Sequence, residues 1–237
     1  MRNVSLWLEN GFARKEAEEW IDYGFSLENA IEWKKYKFSP KEANKWAFYF
    51  SRPDKAIEWK KYNFDPLIAE EWKKYFRPDE ALKWYRMGFK PKESSYWLFS
   101  EFTPDEAIKW KEKGFRPIES KVWKDEGFTL YDAKKWKDAN FEPREAKNWV
   151  KLNLTPREAS ICKEVGLSPY DIGKWLKLGF SLEDTIYLIE LDTSINDVKK
   201  WKDAGISTQE IRKWISYGFT FDEAMDWIEN SFSPEEA

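Results

Sequence analysis

An all-α superhelical solenoid of about 18 thirteen-residue repeats, one short helix of about ten residues per repeat, is predicted by three regularities of this chain. All 16 tryptophans lie on one ladder with a step of 13 residues. Every proline falls at one phase of that ladder, and a glycine or asparagine recurs at another. A short unit repeated this often cannot bury its apolar face alone, so neighbours must stack into a continuous core.

The ladder runs Trp7, Trp20, Trp33, Trp46, Trp59, Trp72, takes a 12-residue step to Trp84, and continues through Trp97, Trp110, Trp123, Trp136 and Trp149. Cys162 and Leu188 occupy two rungs, and Trp175, Trp201, Trp214 and Trp227 complete it. Residues between rungs spell a helix stop and a helix start. Four positions after the rung (+4) stands a glycine such as Gly11, Gly114 or Gly205, or an asparagine (Asn63, Asn140, Asn153). These residues tolerate the left-handed conformation that ends a helix. At +5 comes an aromatic or aliphatic residue such as Phe38 or Phe115, and at +6 usually a Ser or Thr able to cap the next helix.

Proline follows at +7, from Pro40 to Pro234, with Pro78 at +6 in the short step. That is the first helical position, where the missing N–H costs nothing. At +9, 15 of 18 repeats carry Glu or Asp, which completes a Ser/Thr-Pro-x-Glu capping box at the positive helix end. A small residue, most often alanine, comes next and faces the preceding Phe as a hydrophobic staple. Three residues later the next rung arrives. The small residue, the rung and +3 share one face at 100° per residue, with +2, +8, +11 and +12 opposite. The core is therefore read as the ladder, with Trp20, Trp33, Trp59, Trp110, Trp136, Trp201 and Trp214 as its members.

Residues 1–237 read as a single continuous array. Its least regular stretch is Leu152 to Lys200, a hinge, a groove or, as preferred, ordinary drift absorbed by repacking. The chain stops at Ala237, partway through a repeat, and arrays normally end in a polar cap. A longer array, or an end covered by a partner, is expected. In the short step, Tyr75-Phe76-Arg77-Pro78 lacks a Gly or Asn. The turn there must shorten the preceding helix or change its exit direction, with Trp72 and Trp84 still buried.

Composition places the chain among soluble folded proteins, at 35% charged and 42% hydrophobic residues. No apolar run is long enough to cross a bilayer, and Met1 to Glu9 lacks the sections of a signal peptide. A cytoplasmic protein is expected, with no membrane partner. The single Cys162 suits a reducing compartment, and the sequons at Asn3 and Asn153 are then irrelevant. There is no histidine, so the commonest general base and neutral metal ligand are missing. Cys162 reads as a small core residue, and the recurring carboxylates read as caps. Neither an enzyme, a cofactor, a metal nor a small-molecule substrate is expected.

Two features bear on binding. Between Ile31 and Lys151 there are 28 Lys/Arg against 21 Asp/Glu, and elsewhere 12 against 22. Basic pairs flank the rungs, among them Lys34-Lys35, Lys60-Lys61, Lys73-Lys74 and Lys134-Lys135. They read first as a solvated face paired with nearby Glu, and second as a stripe that tracks phosphates. A tyrosine column, Tyr23, Tyr36, Tyr49, Tyr62, Tyr75 and later Tyr217, reads as the last turn of the core face, with a stacking platform as the rival. The expected function is a protein-interaction or structural scaffold. Its alternatives are a nucleic-acid-binding array and a self-assembling structural protein.

Overall fold

The computed structural model describes residues 4–237, among which it forms 18 helices in tandem and no strand. Asn3 of the first sequon lies outside the described residues. In chain order the helices are α1 (Ser5–Glu9), α2 (Arg14–Asp22), α3 (Leu27–Lys35), α4 (Pro40–Ala47), α5 (Pro53–Lys60), α6 (Pro66–Trp72), α7 (Pro78–Arg86), α8 (Pro91–Phe99) and α9 (Pro104–Glu112). They continue as α10 (Pro117–Asp125), α11 (Leu130–Asp138), α12 (Pro143–Val150), α13 (Pro156–Glu164), α14 (Pro169–Lys177), α15 (Leu182–Glu190), α16 (Ile195–Asp203), α17 (Thr208–Ser216) and α18 (Phe221–Glu229). This is the architecture of a helical repeat solenoid. Apart from α1 and α6 the helices are eight or nine residues long, a little under the expected ten, because each turn takes four or five residues.

The chain divides into two compact units, Met1–Lys121 and Val122–Ala237, a division that the unbroken ladder does not mark. Within each unit a helix packs on its successor and on the helix after that. In the first, α4 lies on α5 and α2 on α4; in the second, α16 lies on α17 and on α18.

The turn is a Schellman motif. The Phe12 N–H donates to the Trp7 carbonyl (3.1 Å) and the Gly11 N–H to the Leu8 carbonyl (3.0 Å), a pair repeated at Phe89–Trp84 and Gly88–Tyr85. The +4 residue has positive φ, as at Gly114 (80°) and Asn140 (60°). Asp192 holds the same position at φ 57°, and so do Lys37, Glu101 and Ser231 at 62° to 65°, although these last three do not belong to the residue types that favour it. The motif is therefore imposed by the packing of the rung and its Phe even where the local preference opposes it.

Two turns depart from the motif, where composition singled out one. After α6, Phe76 stands at +4 and donates to the Trp72 carbonyl (3.0 Å) with no left-handed residue. The preceding helix is shortened to seven residues, and Trp72 and Trp84 stay buried. After α4, Phe50 likewise donates to the Trp46 carbonyl (2.8 Å), and Ser51 restores the 13-residue count. Equal spacing concealed that second departure. In both, the ring pair is tilted at 52° or 50°, against near-perpendicular packing at the Schellman turns, such as 86° at Trp20–Phe25.

Helix starts follow the capping grammar. Ser39, Thr103, Thr155, Ser168 and Ser207 form complete boxes with Glu42, Glu106, Glu158, Asp171 and Glu210. Ten prolines open helices, α4 to α10 and α12 to α14. Inside, Trp20, Trp33, Trp59, Trp110, Trp136, Trp201 and Trp214 are all buried, and so are the substitute rungs Cys162 and Leu188. Trp227 is half-buried. The indole N–H groups of Trp20 and Trp149 are buried with no acceptor, so tryptophan serves here through its area and not its hydrogen bond. The irregular stretch keeps the pattern: Asp192 takes the left-handed place (φ 57°), and the Thr193 N–H donates to the Leu188 carbonyl (3.0 Å).

The tyrosine column is not part of the core. Tyr23, Tyr62, Tyr75 and Tyr217 are exposed, and Tyr36 and Tyr49 half-buried. Tyr23, Tyr36 and Tyr217 are C-cap residues, where the chain already leaves the helix, and the 100° projection that placed them inside no longer holds.

Two stability outcomes follow. Trp110→Ala is expected to cost about 3 to 5 kcal/mol in urea denaturation, as deletion of a buried indole does. At Gly114 an added Cβ would meet nothing within 4 Å, so the cost of Gly114→Val is backbone strain alone (φ +80°). It is expected to exceed that of Lys113→Val by about 1 to 2 kcal/mol, and equal unfolding midpoints would refute the left-handed stop.

Candidate interaction surfaces

The eight lysines of the basic pairs separate into three groups. Those at +1 are built into the fold. Lys34 pairs with Glu16 (2.8 Å) and sits 4.3 Å from the Phe12 ring centroid. Lys60 pairs with Glu42 (2.8 Å) and lies 4.6 Å from Phe38, and Lys111 and Lys163 repeat this with Glu93 over Phe89 and Glu145 over Phe141. Lys73 covers Phe50 at 4.4 Å, donates to the Tyr49 carbonyl (2.8 Å) and pairs with Glu70. Each ammonium thus reaches back two repeats, onto the Phe of that turn. Most also clasp the capping carboxylate behind it.

Lysines at +2 behave differently. Lys35, Lys61 and Lys74 are exposed and carry no ion pair among the described residues. Lys134 and Lys135 are satisfied inside α11, Lys134 by an ion pair with Asp138 and Lys135 over the Tyr131 ring at 4.0 Å. The basic pairs read from the sequence therefore do not form one class of surface cation. Neighbours in sequence are a structural clamp and a free cation.

Two capping carboxylates titrate low, that of Glu42, which is also a clamp, and that of Glu158. The Lys60 ammonium, and then the Ser39 N–H, hold the Glu42 carboxyl below the usual glutamate range. The Thr155 hydroxyl and backbone do the same for Glu158. Burial pushes the Cys162 thiol up, which leaves it a protonated core residue. No group of three or more His, Cys, Asp or Glu side chains among the described residues is arranged to hold a metal.

Three clefts open where one turn stacks on the turn two repeats later, with the tryptophan between them in the lining. What occupies +1 decides their character. In the first unit a cleft of about 450 Å³ lies among Phe76, Trp84, Leu98 and Phe102, with Glu80, Lys83 and Glu101 at its rim. Here Leu98 takes the +1 place, and among the described residues no ammonium covers Phe76. Beside it α8 exposes Tyr96, Leu98 and Phe99, the last 83% exposed. The +2 row of Phe99 is charged in every repeat except those of Phe48, Phe99 and Ser216, so an aromatic there is a marked departure. In the second unit a cleft of about 420 Å³ opens where Thr193 replaces Phe, lined by Trp201, Ile215 and Phe219 together with Asp192, Asp197 and Asp222. A third group of clefts, in the first unit, is lined by lysines and tyrosine.

The sequence reading missed Leu98 and Phe99. Alignment by repeat would have shown Phe99 as an aromatic in a charged +2 column, but at +1, where eight repeats carry lysine and ten an aliphatic or aromatic residue, nothing in the sequence marks Leu98. No family model matches the chain, and no curated protein is similar to it.

Lys60→Met keeps most of the stem and removes the charge. It is expected to lower stability by about 0.5 to 1 kcal/mol, while Lys61→Met changes it by less than about 0.5 kcal/mol in the same denaturation assay. Because the folded-state pKa values of Glu42 and Glu158 are depressed, their contribution is present above the ordinary glutamate value of about 4.3 and is lost as pH falls through the folded values. The urea midpoint is expected to drop on acidification through that window, and Glu42→Gln/Glu158→Gln to shrink the drop.

Proposed function

We propose that the protein is a non-enzymatic scaffold that docks a protein partner on α8. The observation that carries this reading is Leu98 in the place where other repeats carry a clamp lysine, lining a cleft over Phe76 on a helix that also exposes Tyr96 and Phe99. Large apolar side chains around a pocket, ringed by charges of both signs, have the make-up of an interface anchor. The occupant that fits is a segment of another protein that inserts one large apolar side chain between Lys83 and Glu101. Two further observations support a non-catalytic role: the single thiol is buried, and the capping-box carboxylates are engaged by helix N-termini or clamps.

Leu98→Lys restores the clamp chemistry and closes the cleft, and so tests the reading without opening the core. A photo-crosslinking residue at Phe99 is expected to capture a defined partner. Leu98→Lys abolishes that capture, and the same probe at Glu112, on the +2 row of α9, captures nothing. Sedimentation velocity across concentration distinguishes self-association: a dimer lost in Leu98→Lys makes the partner a second copy. Equal capture from both probe positions, unaffected by Leu98→Lys, would sink the proposal.

A further inference from the structure

Three clefts of the first unit share lining residues and so form one groove. The first, of about 350 Å³, is lined by Lys35, Tyr36, Lys37, Ile57, Lys60 and Lys61, with four lysines and no acid. The second, of about 420 Å³, shares Lys35 and Tyr36 with it and adds Arg52. The third, of about 490 Å³, shares Arg52 and extends past Tyr49 to Lys74 and Arg77. The acids along this path are Glu32, Asp54 and Glu58. Asp54 is already held by Arg52 (2.8 Å) and Glu58 by Lys55 (2.8 Å).

We propose that this groove binds the backbone of a single-stranded nucleic acid, with Lys35, Lys37, Lys61 and Lys74 on its phosphates and Tyr36 stacked against a base. The four lysines have no ion pair among the described residues, unlike the clamp lysines beside them, so their charge is available to a ligand. Lys37 stands in the left-handed place at φ 63°, where most other repeats use Gly or Asn. A lysine held in an unfavourable backbone conformation at the mouth of a basic cleft has a reason to be there if its ammonium is used. A track of cations interleaved with tyrosine is how sequence-tolerant single-strand sites are built. A duplex keeps its bases stacked inside and offers Tyr36 nothing. An acidic protein segment would satisfy the lysines and leave Tyr36 unused. The groove shares no residue with the α8 surface except Phe76, so the two readings stand or fall separately.

The test uses the full chain and fluorescence anisotropy with a labelled oligo(dT), at low and raised salt. Binding is expected to weaken steeply with salt. The charge reversals Lys35→Glu/Lys61→Glu/Lys74→Glu are expected to weaken it at least about tenfold and to flatten the log–log salt slope by about two, at ~0.7 per lost phosphate contact. A control triple at exposed lysines outside the groove, Lys41→Glu/Lys92→Glu/Lys113→Glu, makes the same change of net charge and is expected to stay within about twofold of the parent. Unchanged tryptophan emission and thermal melts confirm that each variant is folded. Tyr36→Ala is expected to weaken oligo(dT) and leave inorganic polyphosphate unaffected, and duplex DNA to bind more weakly than the single strand. Absence of salt-dependent binding, equal loss in both triples, or a Tyr36→Ala variant that binds oligo(dT) like the parent would each overturn the proposal. Leu98→Lys is expected to change none of these values.

Discussion

The fold depends on one recurring contact, the rung of a helix, usually tryptophan, meeting the residue just beyond its end, usually phenylalanine; Cys162–Leu167 and Leu188–Thr193 keep the turn without the ring pair. A helix of eight or nine residues is below the length at which helices persist alone, so its stability must come from packing. The left-handed stop folds the Phe back onto the rung at ring distances near 5 Å, as in Trp33–Phe38 at 4.9 Å and Trp136–Phe141 at 5.0 Å. Such pairs add about 0.5 to 1.5 kcal/mol beyond the area they bury. The same turn aims the chain at the next Ser/Thr-Pro start. One geometric event thus ends a helix, seals its core and begins the following helix. Where Gly and Asn are lacking beside a Trp–Phe pair, Lys37, Glu101 and Ser231 accept the strained conformation, which measures how strongly the contact drives the turn.

The repeat also explains why surface sites arise in it at little structural cost. Because turns stack two repeats apart, each exposes a Phe that something must cover. In eight of the 18 repeats the +1 residue is a lysine, and at Lys60 its ammonium both covers a Phe and adds a link to the capping carboxylate of an earlier helix. At Trp84 a tyrosine does the work, with Tyr85 packed 5.4 Å from Phe64. At Trp97 it is Leu98, and the cover becomes an opening. A single position in a 13-residue unit therefore switches between structural clamp and open cleft while the ladder beneath is untouched.

The basic groove lies beside both αL-free turns, those of Phe50 and Phe76, whose neighbours Arg52 and Arg77 line it. Without a left-handed residue the rings tilt and the helix before Phe76 loses a turn's end, so local relaxation of the repeat coincides with local change of surface. Both departures confine themselves to the turn, since the rungs on either side remain buried.

Much of this was legible in residue order. The ladder of tryptophans, the proline phase and the Ser/Thr-Pro-x-Glu boxes determined helix number, helix starts and the identity of the core, because capping, proline geometry and periodic burial are local in origin. Tertiary structure decided the rest. Whether Lys34 or Lys35 is free depends on a phenylalanine and a glutamate two turns away, at a distance that no local pattern encodes. The tyrosine column left the core because the C-cap breaks the helical projection that had placed it there. Leu98 became the lip of a cleft only through the stacking of α6 and α8 turns. Sequence specified what each repeat is, since that is written within 13 residues; its surfaces are made between repeats, and only packing brings those together.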